Sequence, residues 1–318
     1  MRAREALGLA VRGGFERSGY APVAAPVLQP ADIFLDMSGE DIRRRMYVFS
    51  DPGGNELCLR PELTIPVCRL YLESEGGPQR LCSLGSVYRY QKRGSAKLRE
   101  FTQVGVECLG TDDAEAADAE AITLAARALA EAGLKGYEIE MGDLALFDAL
   151  VDALGLPPGW QARLKRHFWR PDYFRELLGE LAASSVPREA AKLISDFLAV
   201  SGSPADSISR IARLTKAAGV SLDMAIARFE RRLDLIGKAG LDLSRARFAT
   251  GFGRNMAYYT GFVFEFRVAG LGEDAMICGG GRYDRLLGAL GAKSPVPAVG
   301  SAVGIERLLM ALDREAGK

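Results

Sequence analysis

Residues 86–110 read SVYRYQKRGSAKLREFTQVGVECLG, two β-patterned runs on either side of a hydrophilic loop that carries Arg89, Lys92, Arg93, Lys97 and Arg99. Strands joined as a hairpin pair antiparallel, so this stretch commits the chain to a sheet. Alternation in the second run sets Thr102, Val104, Val106 and Cys108 on one face and Phe101, Gln103, Gly105 and Glu107 on the other. The even face is core. The odd face holds an amide and a carboxylate with a glycine between them, and burying such groups without partners is costly. It either meets solvent or binds something polar.

The positive charge of the loop is a local feature. Acidic and basic residues balance at 41 each over 318 residues, so no global field draws the chain to nucleic acid or an anionic membrane. The opening MRAREALGLAVRGGFERSGY lacks the apolar run of a signal peptide and reads as an amphipathic helix. No apolar run reaches the roughly 18 residues of a membrane span. A cytoplasmic protein without a membrane partner is expected. Five cysteines without CxxC spacing predict reduced core thiols. His167 is the only histidine, which argues against zinc and leaves no Ser–His–Asp triad, since no nucleophile stands beside it in RLKRHFWRPDYF. No metal and no cofactor are expected.

Along the chain, a helix over 1–20 gives way to the proline-rich APVAAPVLQP. A hairpin follows, with strands at 46–49 and 56–60 around Asp51-Pro52-Gly53-Gly54. LRPELT continues that hairpin and places Arg60, Glu62 and Thr64 on one strand face. In GTDDAEAADAEAITLAARALAEAGLKG, Asp112 and Glu115 are spaced as a capping box, alanine is dense, and Gly133 marks the stop. After a strand at 137–142 and a helix at 144–154, every element from Pro157 to about 238 is helical. Strands return at RARFATG, YYTGFVFEFRVAG and AMICGG, and VPAVGSAVG runs into the helix IERLLMALDRE. The pattern predicts an α+β fold with a largely antiparallel sheet. Its expected division is a first core part at 1–154, a helical insertion at 155–240 and a second core part at 241–318. Three glycines before Arg282 and Tyr283 either admit a ligand close to the backbone or make a flexible hairpin connection.

The order and spacing of APVAAP, MYVFSDPGGNELCLRPELT, VYRYQKRGSAKLREFTQVGVECLG, RNMAYYTGFVFEF, GGGRYD and AVGIERLL resemble the catalytic domain of class II histidyl-tRNA synthetases. The resemblance covers nearly the whole chain, the helical block matching the family's insertion in position only. It implies an antiparallel sheet flanked by helices, a dimer formed through the region around Pro26, and a histidine pocket. By carry-over, Glu62, Thr64 and Gln103 hold the α-amino group, Glu107 with Tyr259 and Tyr283 holds the imidazole, and Arg254 approaches the α-carboxylate. Arg89, Arg99 and Arg307 fall on the family's nucleotide-phosphate site.

Three departures matter. Gln91 stands where the synthetases carry an acidic residue, Ala257 replaces the aspartate of the family's arginine loop, and the chain ends eleven residues after Arg307. An anticodon-binding domain needs at least about 50 residues, so none is expected. A synthetase fold with the amino-acid pocket kept is similar to the regulatory subunits that serve the short catalytic form of ATP phosphoribosyltransferase in histidine biosynthesis. That likeness implies a homodimer within a hetero-oligomer containing the catalytic subunit. L-histidine would be the effector, with no tRNA bound and no chemistry of the chain's own. The alternative is a histidine-adenylating or aminoacylating enzyme, since the arginines are present.

Overall fold

The expected hairpin forms, and the strands on either side continue its pairing. The structure, a computed structural model, describes residues 2–37, 40–74, 76–95, 97–168, 170–184, 188–253, 258–272 and 275–317. Helix α1 (Arg2–Arg17) leads through β1 (Ala21–Val23) and β2 (Leu28–Pro30) to two short helices, α2 (Ala31–Met37) and α3 (Glu40–Arg43). A hairpin of β3 (Tyr47–Ser50) and β4 (Glu56–Leu59) follows, then α4 (Thr64–Leu72) and the long pair β5 (Gln79–Tyr88) and β6 (Glu100–Leu109). Next come α5 (Ala114–Glu131), β7 (Glu138–Asp143) and α6 (Leu144–Ala153). The helical stretch contains α7 (Pro158–His167), α8 (Pro171–Ala183), α9 (Arg188–Leu198), a two-residue β8 (Ser201–Gly202), α10 (Pro204–Ala217) and α11 (Asp223–Lys238). The chain closes with β9 (Ala246–Ala249), β10 (Phe262–Arg267), β11 (Met276–Arg282), α12 (Leu286–Ala289), β12 (Ala298–Gly304) and α13 (Ile305–Glu315).

Nine strands form one sheet in the order β1-β5-β6-β12-β11-β10-β7-β9-β8, and β2-β4-β3 form a second. Pairing is antiparallel except at β1–β5 and β7–β9. This is the expected α+β class with a largely antiparallel sheet. The even face of β6 is core as read: Val104, Val106 and Cys108 are buried in one cluster with α5 residues Ile122, Ala125 and Leu129. The odd face looks the other way, towards a smaller cluster that includes Ile65, Cys68, Tyr258 and Tyr283. All five cysteines are free and buried. Among the described residues, no helix is long and apolar enough to cross a membrane.

Three local readings need correction. Arg60, Glu62 and Thr64 do not share a strand face, because β4 ends at Leu59 and Thr64 opens α4. The Glu62 carboxylate caps that helix, accepting from Thr64 N and Ile65 N at 2.8 Å each. These amides have no partner within the helix, so a buried carboxylate satisfies them. At α5 the cap is Asp113, not Asp112: its side chain accepts from Ala116 N, while Glu115 turns to Arg228 and Arg231 of α11. The glycines of GGGRYD lie inside β11, not in a connection, with Gly280 between Phe264 and Ser301 in register.

Candidate functional site

The odd face of β6 and the strands beside it form the floor of a cleft. Gly300 lies opposite Glu107 in the β12–β6 pairing, and a Cβ at that position would overlap the Glu107 carboxylate. The glycine gives the carboxylate its place. Gly85, opposite Gln103, is covered in the same way by the Arg60 guanidinium, which is held by Ser86 O and Ala25 O.

Two buried acids converge here. Glu62 and Glu107 are each 3% exposed. Burial pushes Glu107 up to about 8, against the pull of hydrogen bonding from Tyr283 and Thr64, and the nearby charge of Glu62 adds to the rise. Burial also raises Glu62, although the α4 amides and Arg89 favour its charged form. The Tyr283 hydroxyl donates to Glu107 Oε2. Tyr283 packs edge-on against Tyr258, ring centres 5.7 Å apart, and Tyr258 packs against Tyr259 at 5.0 Å. The Cys68 thiol lies below, raised by burial and by both carboxylates. No lysine or arginine among the described residues forms an ion pair with Glu107. Gln103 Oε1 is buried without a hydrogen-bond partner among the described residues, an acceptor left open beside the cleft.

Of the residues expected to hold histidine, the structure gathers Glu62, Thr64, Gln103, Tyr259 and Tyr283 around one cavity of about 50 Å³. Glu107 meets it through Tyr283. Arg254 lies outside the described residues, as does Ala257. At the mouth stand Arg89 and Arg307, with the Phe101 ring between them at 5.2 and 5.9 Å from their guanidinium carbons. Arg89 Nε donates to Pro61 O at 2.9 Å and Arg307 Nη1 to Met276 O at 3.1 Å, which anchors both.

Beyond them opens a second cavity of about 190 Å³, shared by Arg89, Phe101, Gly304 and Arg307 and walled further by Arg45, Gln91, Lys97, Leu98, Glu306 and Met310. Gln91 is buried, its amide directed to Leu98 O at 3.5 Å, so the residue that departs from the synthetase pattern now braces the loop. Arg99 is exposed and does not line either cavity; its side chain reaches Gln91 O at 3.5 Å, and its carbonyl accepts from Arg89 N at 2.8 Å. Glu306 of α13 pairs with Arg4 of α1 at 3.3 Å. It also accepts from Thr102 N at 2.8 Å, fixing α13 to β6. Sequence reasoning missed Arg45, although three consecutive arginines at 43–45 were a signal, and it gave Phe101 no part beyond its face.

The sequence pattern of the histidyl-tRNA synthetase family matches residues 1–308. The ATP phosphoribosyltransferase regulatory subunit of Chelativorans sp. is 36% identical, covering 89% of this chain and 91% of its own length. That of Allorhizobium ampelinum is 37% identical, covering 94% and 96%. The chain belongs to this family of synthetase-like regulatory subunits. Among solved structures, an ATP phosphoribosyltransferase regulatory subunit/histidyl-tRNA synthetase from Bacillus halodurans is 27% identical, with a TM-score of 0.81 over 98% of this chain and 79% of that one. The regulatory-subunit family thus keeps the class II synthetase sheet on which these carboxylates are mounted.

Proposed function

We propose that this chain binds free L-histidine on the Glu62–Glu107 face. As the regulatory subunit of ATP phosphoribosyltransferase, it supports the short catalytic subunit and transmits feedback inhibition by histidine. The observation that carries this reading is the pair of buried carboxylates, one of which has no cationic partner among the described residues. L-histidine brings an ammonium to one end and a protonatable ring to the other, so each acid gains a charge-assisted donor. Glu62, Thr64 and Gln103 take the ammonium, Glu107 with Tyr259 and Tyr283 takes the ring, and Arg254 serves the carboxylate. A ligand sensed in this way needs only to bind two states of a complex unequally, and about 1–3 kcal/mol of coupling suffices.

In this reading the chain is a cytoplasmic homodimer inside a hetero-oligomer with the catalytic subunit, binds no tRNA and performs no chemistry. Its parts are a core at 1–154 and 241–318 and a helical insertion at 155–240. Isothermal calorimetry with L-histidine tests the pocket, and assay of a short-form catalytic subunit with and without this chain tests the partnership. Saturable uptake and histidine-sensitive activation are expected; no uptake, alone or in the complex, sinks the reading. A second reading, adenylation of histidine, draws on Arg89 and Arg307 lining the adjoining cavity. Exchange of labelled pyrophosphate into ATP in the presence of histidine would establish it.

A further inference from the structure

Behind the pocket, two arginines from distant parts of the chain meet on one carboxylate. Asp118 of α5 accepts from Arg232 Nε of α11 at 2.8 Å and from Arg282 Nε of β11 at 2.9 Å. Arg232 also donates to Asp143 Oδ2 at 2.8 Å, and its guanidinium lies 4.9 Å from the centre of the Phe262 ring. Arg282 completes its set with Ala114 O and Asp284 Oδ1, both at 2.8 Å. Asp118, Arg232, Arg282 and Asp143 are 0%, 3%, 4% and 4% exposed.

The junction continues into the ligand face. Arg282 O accepts from Thr260 N at 2.8 Å, and Thr260 Oγ1 accepts from Asp284 N at 3.0 Å. Tyr283 N donates to Ala298 O, and Ala298 N returns a bond to Asp284 Oδ1, both at 2.8 Å. Tyr283, held from both neighbours, is the residue whose hydroxyl meets Glu107. The other arginines of α11 behave differently: Arg228 and Arg231 pair with Glu115 and Asp113 nearer the surface.

Removing one member of a buried ionic set leaves the others charged and unpaired, so such a set shifts as a unit. Two elements tied to it bias each other, and the bias is reciprocal. We propose that Asp118 and Arg232 are positioning residues for the ligand site, through which docking of α11 is coupled to the setting of Tyr283 and hence to histidine binding. The histidine arm of this proposal rests on the pocket reading above; the link from α11 to Tyr283 stands apart from it.

The test uses the full chain and two measurements. Hydrogen–deuterium exchange without ligand follows the amides of 282–284 and 298, with the β3–β4 hairpin as the reference. Calorimetry follows L-histidine. Arg232→Met is expected to speed exchange at 282–284 relative to the hairpin and to weaken histidine about tenfold, within the range of ordinary intersite coupling. Arg231→Ala, on the same helix but outside the junction, is expected to change both less than about twofold. Arg232→Lys keeps the charge without the planar fork, so a smaller shift of the same sign is expected. It carries the test alone if Arg232→Met does not fold. Exchange at 282–284 that rises no more than the hairpin's overturns the coupling, as does unchanged histidine affinity in a variant that binds it. If the parent chain itself takes up no histidine, the pocket reading falls and the exchange measurement decides the coupling.

Discussion

Glu107 and Asp118 are both buried acids, set on opposite faces of the same sheet, and they have opposite surroundings. Asp118 is closed on two guanidiniums from α11 and β11. Glu107 has a tyrosine hydroxyl and a glycine-made gap beside it. The first is complete within the chain, whereas burial holds the second towards its neutral form and no cation among the described residues pairs with it. Burial alone therefore does not set the two acids apart. Their partners do.

The largest expected effect breaks the comparison on stability. Asp118→Ala leaves Arg232 and Arg282 buried against one another, and unfolding by denaturant should show a loss of about 3–5 kcal/mol. Glu107→Gln, by contrast, replaces an acid that folding keeps neutral with a neutral amide, and near pH 4.5, before the proton-linked slope develops, it should change stability by less than about 1 kcal/mol. On ligand binding the order reverses: Glu107→Gln should weaken L-histidine by about 3 kcal/mol, roughly a hundredfold, through loss of a buried charged partner. Equal stability losses at the two positions would erase the distinction.

Acidity sharpens the contrast. Glu107 has a folded value of about 8 against an ordinary 4.5, so the folded chain holds the extra proton between them. The stability this carboxyl contributes is present below pH 4.5 and is lost as pH rises through about 8. The slope is at most about 1.4 kcal/mol per pH unit. Glu107→Gln should remove that slope from stability curves measured between pH 5 and 9. One proton shared between Glu107 and the imidazole also predicts a bell-shaped affinity. Binding should fall below about pH 6.5, where both partners are protonated, and above about pH 8, where neither is. A flat calorimetric profile from pH 5.5 to 9 would contradict the shared proton. The smallest effect is a control: Arg17→Ala, which breaks an exposed pair with Glu131, should shift stability by no more than about 0.5 kcal/mol and leave histidine binding untouched.

Much of this was legible from local pattern. The period of two in β6 separated Gln103 and Glu107 from Val104 and Val106, and alanine density outlined α5. What failed was decided by chain geometry at single joints. Pro66 and the β-branched Thr64, Ile65 and Val67 hid α4 as an extended run, so Glu62 was read as a strand residue when it is a cap. One step separated Asp112 from the true cap, Asp113. The ionic junction was not readable at all: Arg232 and Arg282 lie 114 and 164 residues from Asp118 in sequence, and only the packing of α5 against both α11 and β11 joins them. Arg99 is a motif residue whose backbone closes the loop while its side chain, bonded to Gln91 O, is not among those that line the two cavities.

Glu62 carries one more lesson. Its two oxygens are fixed by the first amides of α4, leaving further lone pairs for an arriving ammonium. Folding itself has already removed the rotational freedom of this acceptor, so in the proposed site recognition would begin with a frozen receptor and the entropy loss would fall mainly on the guest. Deleting the carboxylate would unwind the start of a helix as well as blunt recognition, and the two defects would arrive together.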